Sequence, residues 1–269
     1  MFKTSMAISP TPADFAALLF AGEWPAALDA AVDLGYDAIE VSVRDPADPA
    51  VIACDDGLRR RGLQLSAIAT GQSFYTDGWS PTSDDPEVQE RLEERMRRII
   101  DLAAPWEAMV VIGGVRGTLT GSEAEQEDQY HRAVEGVRRY GEYARAHHVS
   151  LVIEPINRYE TNYINTIADA LSFIDAVGLD NLGILPDTFH MNIEEVDLAA
   201  SLRAGGDRIQ HVQFTDSNRL AAGRGHIDFL SLASVLRDME YRGYLSTETL
   251  PLPDSRTAAQ QAIELFRTL

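Results

Sequence analysis

The feature that most limits what this chain can fold into is a rhythm. Short runs rich in β-branched residues alternate with longer stretches of helical period, and the cycle occurs eight times. The runs lie at 3–8, 37–42, 63–69, 108–113, 150–155, 182–187, 209–214 and 244–249. Between them, apolar residues recur at steps of three and four, which lines them along one helical face. Val88, Leu92, Met96, Ile99, Ile100 and Ala103 do this, and Tyr130, Ala133, Val134, Val137, Tyr140 and Ala144 repeat it. Three joins, LGYDAIEVS, RGLQLSAIA and RGYLSTETL, each put a glycine where a left-handed residue can close a helix before the next strand. Eight such units in 269 residues predict an α/β fold: a single (β/α)8 TIM barrel, with 1–269 forming one domain. A doubly wound nucleotide-binding sheet would want a Gly-rich turn after the first strand, and SMAISPTPADF has none.

Charge and cysteine content exclude several classes of partner. The chain carries 23 Lys+Arg against 42 Asp+Glu, a formal charge of −19. Nucleic acids are held by neutralising phosphates with Lys and Arg, so no nucleic-acid partner is expected. No apolar run approaches the ~18 residues that a membrane span needs, and no membrane partner is expected. The segment MFKTSMAISPTPADF does not join a basic flank to a long apolar stretch, so the expected location is the cytoplasm. Cys54 is the single cysteine, which excludes an internal disulfide framework and a Cys-rich zinc site.

Chemistry concentrates at the ends of the last four runs, the face where barrel active sites lie. The fifth run ends in Glu154 and the sixth in Asp187, with His190 following. The seventh carries His211 and Gln213, and the eighth carries Glu248. Charged groups inside apolar strands are costly unless paired or bound to a metal. Four successive strand ends that each offer an oxygen would converge above the barrel axis, on a site suited to a hard divalent cation such as Mn²⁺ or Mg²⁺. Taken singly, each residue has a plainer reading. A strand-end carboxylate is commonly a helix cap, His190 alone would be a hydrogen-bonded structural histidine, and Gln213 alone would bond a nearby carboxylate. The joint pattern favours the site. Two long loops, 71–85 with Phe74, Tyr75 and Trp79 and 216–228, leave the same face and are expected to be functional lids or disordered, although the aromatics of the first could simply pack it onto the barrel.

The segments EPINRYETN, DTFHMNIEE and HVQFTDSNR, followed by GRGHIDF, resemble the sugar isomerase/epimerase barrels related to xylose isomerase. Within that superfamily they look most like the D-tagatose 3-epimerase and allulose (psicose) 3-epimerase group. The spacing agrees, with 33 residues from Glu154 to Asp187, 26 more to Gln213 and 35 more to Glu248. The resemblance implies that Glu154, Asp187, Gln213 and Glu248 bind the metal and that Glu154 and Glu248 also exchange the substrate proton. It further implies that Glu160, His190 and Arg219 hold the sugar's oxygens. One position departs from the pattern, because the epimerases place histidine where this chain has Gln213. Hydroxypyruvate isomerase-like members use glutamine there.

The implied activity is metal-dependent epimerisation or isomerisation of a ketose or related keto-sugar through an enediolate. The implied partners are a small sugar and further copies of the chain, as a dimer or tetramer. Two other reactions share the site: aldose–ketose (hydroxypyruvate-type) isomerisation, and a lyase reaction on a 3-keto glycoside or keto-inositol. The DNA-repair branch of the same barrels would need more histidines for several zinc ions and a basic face, and neither is present. A degenerate barrel that only binds sugar is disfavoured by the intact pair of glutamates.

Overall fold

The computed structural model describes residues 2–269. Eight strands form one parallel sheet: β1 Lys3–Ile8, β2 Ala38–Ser42, β3 Gln64–Ala69, β4 Met109–Ile112, β5 Leu151–Ile153, β6 Leu182–Ile184, β7 Val212–Gln213 and β8 Tyr244–Thr247. The order is β6-β5-β4-β3-β2-β1-β8-β7. Two parallel bridges, Ile184 with Ile209 and Asp187 with Gln213, join β6 to the chain around β7 and close the barrel. Each strand falls inside its expected run. β7 is shorter than 209–214, because only Val212 and Gln213 keep a ladder register with β8.

Helices cover the barrel as the periodicity predicts. Pro86–Ala103 buries Leu92, Met96, Ile99, Ile100 and Ala103, and Glu123–Ala146 buries Ala133, Val134, Val137, Tyr140 and Ala144. Gly35 and Gly62 adopt the left-handed conformation and cap their helices. Gly243 does not. The helix Phe229–Asp238 ends without it, and its glycine instead gives clearance, since a Cβ there would meet the Gln210 carbonyl and the Tyr241 hydroxyl. No helix among the described residues is long and apolar enough to cross a membrane.

The barrel interior is divided. Ala67, Val111, Val152 and Leu185, from β3 to β6 and the residue after it, form a small apolar cluster. The opposite wall is polar, with Ser5, Glu40, Ser66, His211, Gln213 and Ser246 all buried. Both long loops are ordered by buried or paired charges. In the first, the short helix Gln72–Tyr75 leads to Asp77, which bonds Arg44 and Arg95 at 2.6 Å each, while the Arg95 guanidinium lies 4.0 Å from the Trp79 ring centre. The second folds around Asp216, whose carboxylate accepts backbone N–H bonds from Ser217, Gly223 and Ile227.

Candidate active site

The strand ends meet at the mouth of the barrel. A cleft there is lined by Glu154, Glu160, His190, Arg219 and Glu248, with Phe15 and Tyr75 on its apolar side. Asp187 and Gln213 are buried below it. The seven residues that the resemblance assigns to the site therefore line one cleft or lie buried next to it.

Glu154 directly follows β5, and its neighbours give it room and a fixed backbone. A Cβ at Gly113 would run into Glu154 Oε2 and one at Gly114 into the Tyr75 ring, so the GG pair after β4 clears space for the carboxylate and for that ring. Arg116, fully buried, donates to the carbonyls of Glu154 at 2.7 Å, Ile164 at 2.9 Å and Gly113 at 3.0 Å. Glu154, Asp187 and His190 offer ligand-type atoms that all lie within 4.8 Å of one another. Burial raises the Glu154 carboxyl above the carboxylate range, with further upward push from Asp187. Glu248 is raised by burial and then by Glu154. Asp187 is pushed from its usual 3.8 to about 7, chiefly by burial. The Tyr75 phenol is pushed up to about 12 by burial and then by Glu160 and Glu154, so it stays neutral beside the carboxylates.

Two buried oxygens in this cluster, Asp187 Oδ2 and Gln213 Oε1, have no hydrogen-bond partner. They belong to residues paired across the β6–β7 seam. An unpaired buried acceptor costs about 1–3 kcal/mol, and more when charged. Carboxylates crowded to the point of holding protons, together with orphaned oxygens and no donor, are what a hard divalent cation would relieve. The donor set therefore fits a metal site made of oxygen ligands.

His190 has a different aspect. Its Nδ1 accepts from the Asn157 side-chain amide at 2.7 Å, and the orientation of that amide is fixed because Nδ2 also donates to Glu160 Oε1 while Oδ1 accepts from the Tyr159 N–H. Burial holds the imidazole well below its usual 6.5, so the ring is neutral and its proton sits on Nε2. Nε2 faces Glu154 and Asp187 at 3.8 Å each. A nitrogen that keeps its proton donates a hydrogen bond and does not ligate a metal. Arg219, at the tip of the second loop, sits between the rings of Phe15 and Phe189 at 4.9 and 4.7 Å. It reaches Glu160 Oε1 at 2.9 Å and Glu248 Oε2 at 3.5 Å, and its backbone has φ +61. Such strain in a non-glycine residue is typical of functional positions.

Sequence reasoning missed Glu40, Asn157, Arg116 and Phe15. Glu40 had a usable signal, a carboxylate in the middle of the apolar run DAIEVS, under the same cost argument applied to the later strands. Asn157 and Arg116 carry no such signal, because their importance lies in contacts at 33 and 38 residues' separation.

The chain belongs to the xylose isomerase-like TIM-barrel family, which it matches over residues 28–269. It is 33% identical over 240 residues to the L-ribulose 3-epimerase of Methylomonas sp. (strain DH-1), covering 87% of this chain and 82% of that one. It is 38% identical over 117 residues to the 3-dehydro-D-guloside 4-epimerase of Escherichia coli (strain K12), spanning 43% of this chain and 45% of the relative. A solved structure of an L-ribulose 3-epimerase superposes with a TM-score of 0.84 at 28% identity, covering 100% of this chain and 94% of that one.

A pH prediction follows from Asp187. Because its folded value lies above its ordinary one, the protonated folded form is favoured: this contribution to stability is present below the ordinary value and is lost as pH rises through about 7. Metal-free protein is therefore expected to lose melting temperature between pH ~5 and ~7.5, and Asp187→Asn to lose less over the same window. Added Mn²⁺ should raise the melting temperature more at the upper end, where protons no longer compete. Thermal scans across the window check both, and equal slopes for wild type and Asp187→Asn would assign the dependence to other groups.

Proposed function

We propose that this chain is a divalent-cation-dependent ketose 3-epimerase, a single-domain barrel that acts on a free sugar in the cytoplasm as a dimer or tetramer. The observation that carries the reading is the pair of buried glutamates, Glu154 after β5 and Glu248 after β8, lining one cleft above orphaned oxygens. Epimerisation needs a proton removed from one face of a carbon and returned to the other, and thus two acid–base groups. In this reading Glu154, Asp187, Gln213 and Glu248 hold Mn²⁺ or Mg²⁺. The cation supplies positive charge that stabilises the enediolate developing next to the sugar carbonyl.

The other steps belong to side chains. Glu154 and Glu248, separated around the barrel by β6 and β7, act from different sides of the bound sugar. One takes the C3 proton and the other returns a proton with inverted configuration. The neutral His190 donates from Nε2 to a sugar oxygen. Arg219, held beside the Phe15 and Phe189 rings, donates to another, and Glu160 accepts from a hydroxyl. Phe15 and Tyr75 cover the apolar side and exclude water. The activities that name these relatives, at C3 of ketoses, support this assignment.

A second reading rests on the 4-epimerase relative: inversion at C4 of a 3-keto glycoside, with the same residues in the same roles. Incubation in D₂O with Mn²⁺ separates these. Deuterium at C3 of a ketose such as D-allulose or L-ribulose supports the proposal, and deuterium at C4 of a 3-keto glycoside supports the second reading. An aldose product would indicate an isomerase and release of a leaving group a lyase, and either would overturn both.

His190→Ala and Arg219→Ala are expected to lower kcat/KM by ~10-fold or more through lost positioning. Both should leave the stoichiometry of bound Mn²⁺ unchanged, as metal analysis after dialysis would read. Loss of the ion in His190→Ala would make that residue a ligand.

A further inference from the structure

The most unusual group inside the barrel is one the proposed chemistry does not use. Glu40, on β2, is fully buried beneath the cleft. Its carboxylate accepts three hydrogen bonds: from Gln213 Nε2 at 2.8 Å to Oε1, and from His211 Nε2 at 2.9 Å and Ser246 Oγ at 2.8 Å to Oε2. Arg116 and Arg219 are engaged elsewhere, so no arginine pairs with it. His211 Nδ1 is buried without a partner, which leaves Nε2–H as the nitrogen that donates to Glu40. A carboxylate held in this way by donors on β7 and β8 is an ordered acceptor at a fixed place.

The consequence falls on Gln213. A side-chain amide can turn over at little cost, exchanging its oxygen for its NH₂ group. Glu40 removes that freedom, because a carboxylate accepts and cannot donate. Only the NH₂ end of Gln213 can face it, and the carbonyl oxygen must face away. That oxygen is Gln213 Oε1, buried and unpartnered, on the residue bridged to Asp187, whose Oδ2 is likewise unpartnered. We propose that Glu40 is a positioning residue for the cation site: by holding the Gln213 NH₂ group it presents Gln213 Oε1 to the ion and polarises the amide so that this oxygen carries more negative charge. It is the amide counterpart of the carboxylate that orients a metal-bound imidazole. The inference rests on the cation site of the proposed function, and it adds the partner that makes a neutral glutamine serviceable as a ligand.

The test is a double-mutant cycle read by calorimetric Mn²⁺ binding and by the melting-temperature gain on adding Mn²⁺, without turnover. Glu40→Gln gives back an NH₂ group that can pair with Gln213 in the flipped orientation, and should weaken Mn²⁺ binding by ~10–100-fold, the range seen for outer partners of metal ligands. Glu40→Asp keeps the charge but withdraws it by one methylene, and should weaken binding comparably. In a Gln213→Ala background both substitutions should change Mn²⁺ affinity less than ~2-fold, because the residue through which Glu40 acts is gone. Equal losses with and without Gln213 would mean that Glu40 acts only through its field or through the fold, and would overturn the proposal. So would wild-type affinity in Glu40→Asp. If Glu40→Gln does not fold, Glu40→Asp completes the cycle. The two levels of the reading fail differently. A wild-type protein that takes up Mn²⁺ and exchanges deuterium but shows no coupling sinks only the role of Glu40, whereas one that takes up no Mn²⁺ sinks the cation site and the role of Glu40 together.

Discussion

Glu154→Gln and Glu248→Gln are each expected to lower turnover on the ketose by at least ~10²-fold, the lower bound of what a positioned acid–base group contributes. The change is nearly isosteric, so the loss should be one of proton transfer and cation affinity rather than of fold. Stability gives an independent sign. Burial and neighbouring carboxylates raise both groups in the metal-free protein, so at neutral pH each glutamate must take up a proton on folding, a cost that the unfolded chain does not bear. A neutral amide removes that cost, and metal-free Glu154→Gln and Glu248→Gln should melt no lower than wild type at pH ~7.5. Turnover would therefore fall while the metal-free melting temperature holds or rises. Deuterium exchange refines the roles. If the two residues act on opposite faces, one variant should still wash deuterium into the C3 epimer whose proton the remaining glutamate removes, without forming the other epimer. Near-normal epimerisation by either variant would overturn the two-base mechanism.

How much of this arrangement the sequence carries depends on the distance over which each signal acts. Strand and helix positions come from local periodicity, so all eight strands fall within the expected runs and Leu92, Met96 and Ile99 are buried as their spacing requires. Strand-end residues are also local signals: Glu154, Asp187 and Glu248 stand out because carboxylates interrupt or end apolar runs. The topology then brings them together without further information, since successive parallel strands all point their ends to one face. Gly243 shows the limit of the local argument. The motif RGY looks like a helix cap, but the helix ends at Asp238 and the glycine answers a contact with the Gln210 carbonyl, just before the neighbouring β7. Glu40 is the larger omission. Its run reads as a strand and is one, but its partners Gln213 and Ser246 lie 173 and 206 residues away, and only the closed barrel joins them. The proton on His190 Nε2 is equally invisible in sequence, because it is set by Asn157, 33 residues earlier, in a loop with no periodic signal.

The metal preference is where this chain's own residues make a testable difference. In the proposed site, with Gln213 as the strand-seven ligand, a cation would meet hard oxygen donors only: three carboxylates and a neutral amide carbonyl. Such a set suits Mn²⁺ or Mg²⁺. Gln213→His substitutes an imidazole, a softer donor that favours the later transition metals. The site is prepared to receive it, because Glu40 already accepts from the nitrogen at this position and could accept from the imidazole N–H in the same place. Binding of Co²⁺, Ni²⁺ and Zn²⁺ is therefore expected to tighten relative to Mg²⁺ by ~10–100-fold, about the size of effect that a ligand's outer partners alone command. Mg²⁺ affinity itself should hold or fall, since the ion gains little from nitrogen. Titration of both proteins with each ion, in one buffer at pH ~7.5 where the new imidazole is unprotonated in the free state, reads the ranking directly. An unchanged ranking would place Gln213 outside the cation's ligands, leaving Glu154, Asp187 and Glu248 to hold the ion with water. In that case the orphaned Gln213 Oε1 would have to be satisfied by one of those waters, and the Glu40 cycle would show no coupling, so the two experiments must agree.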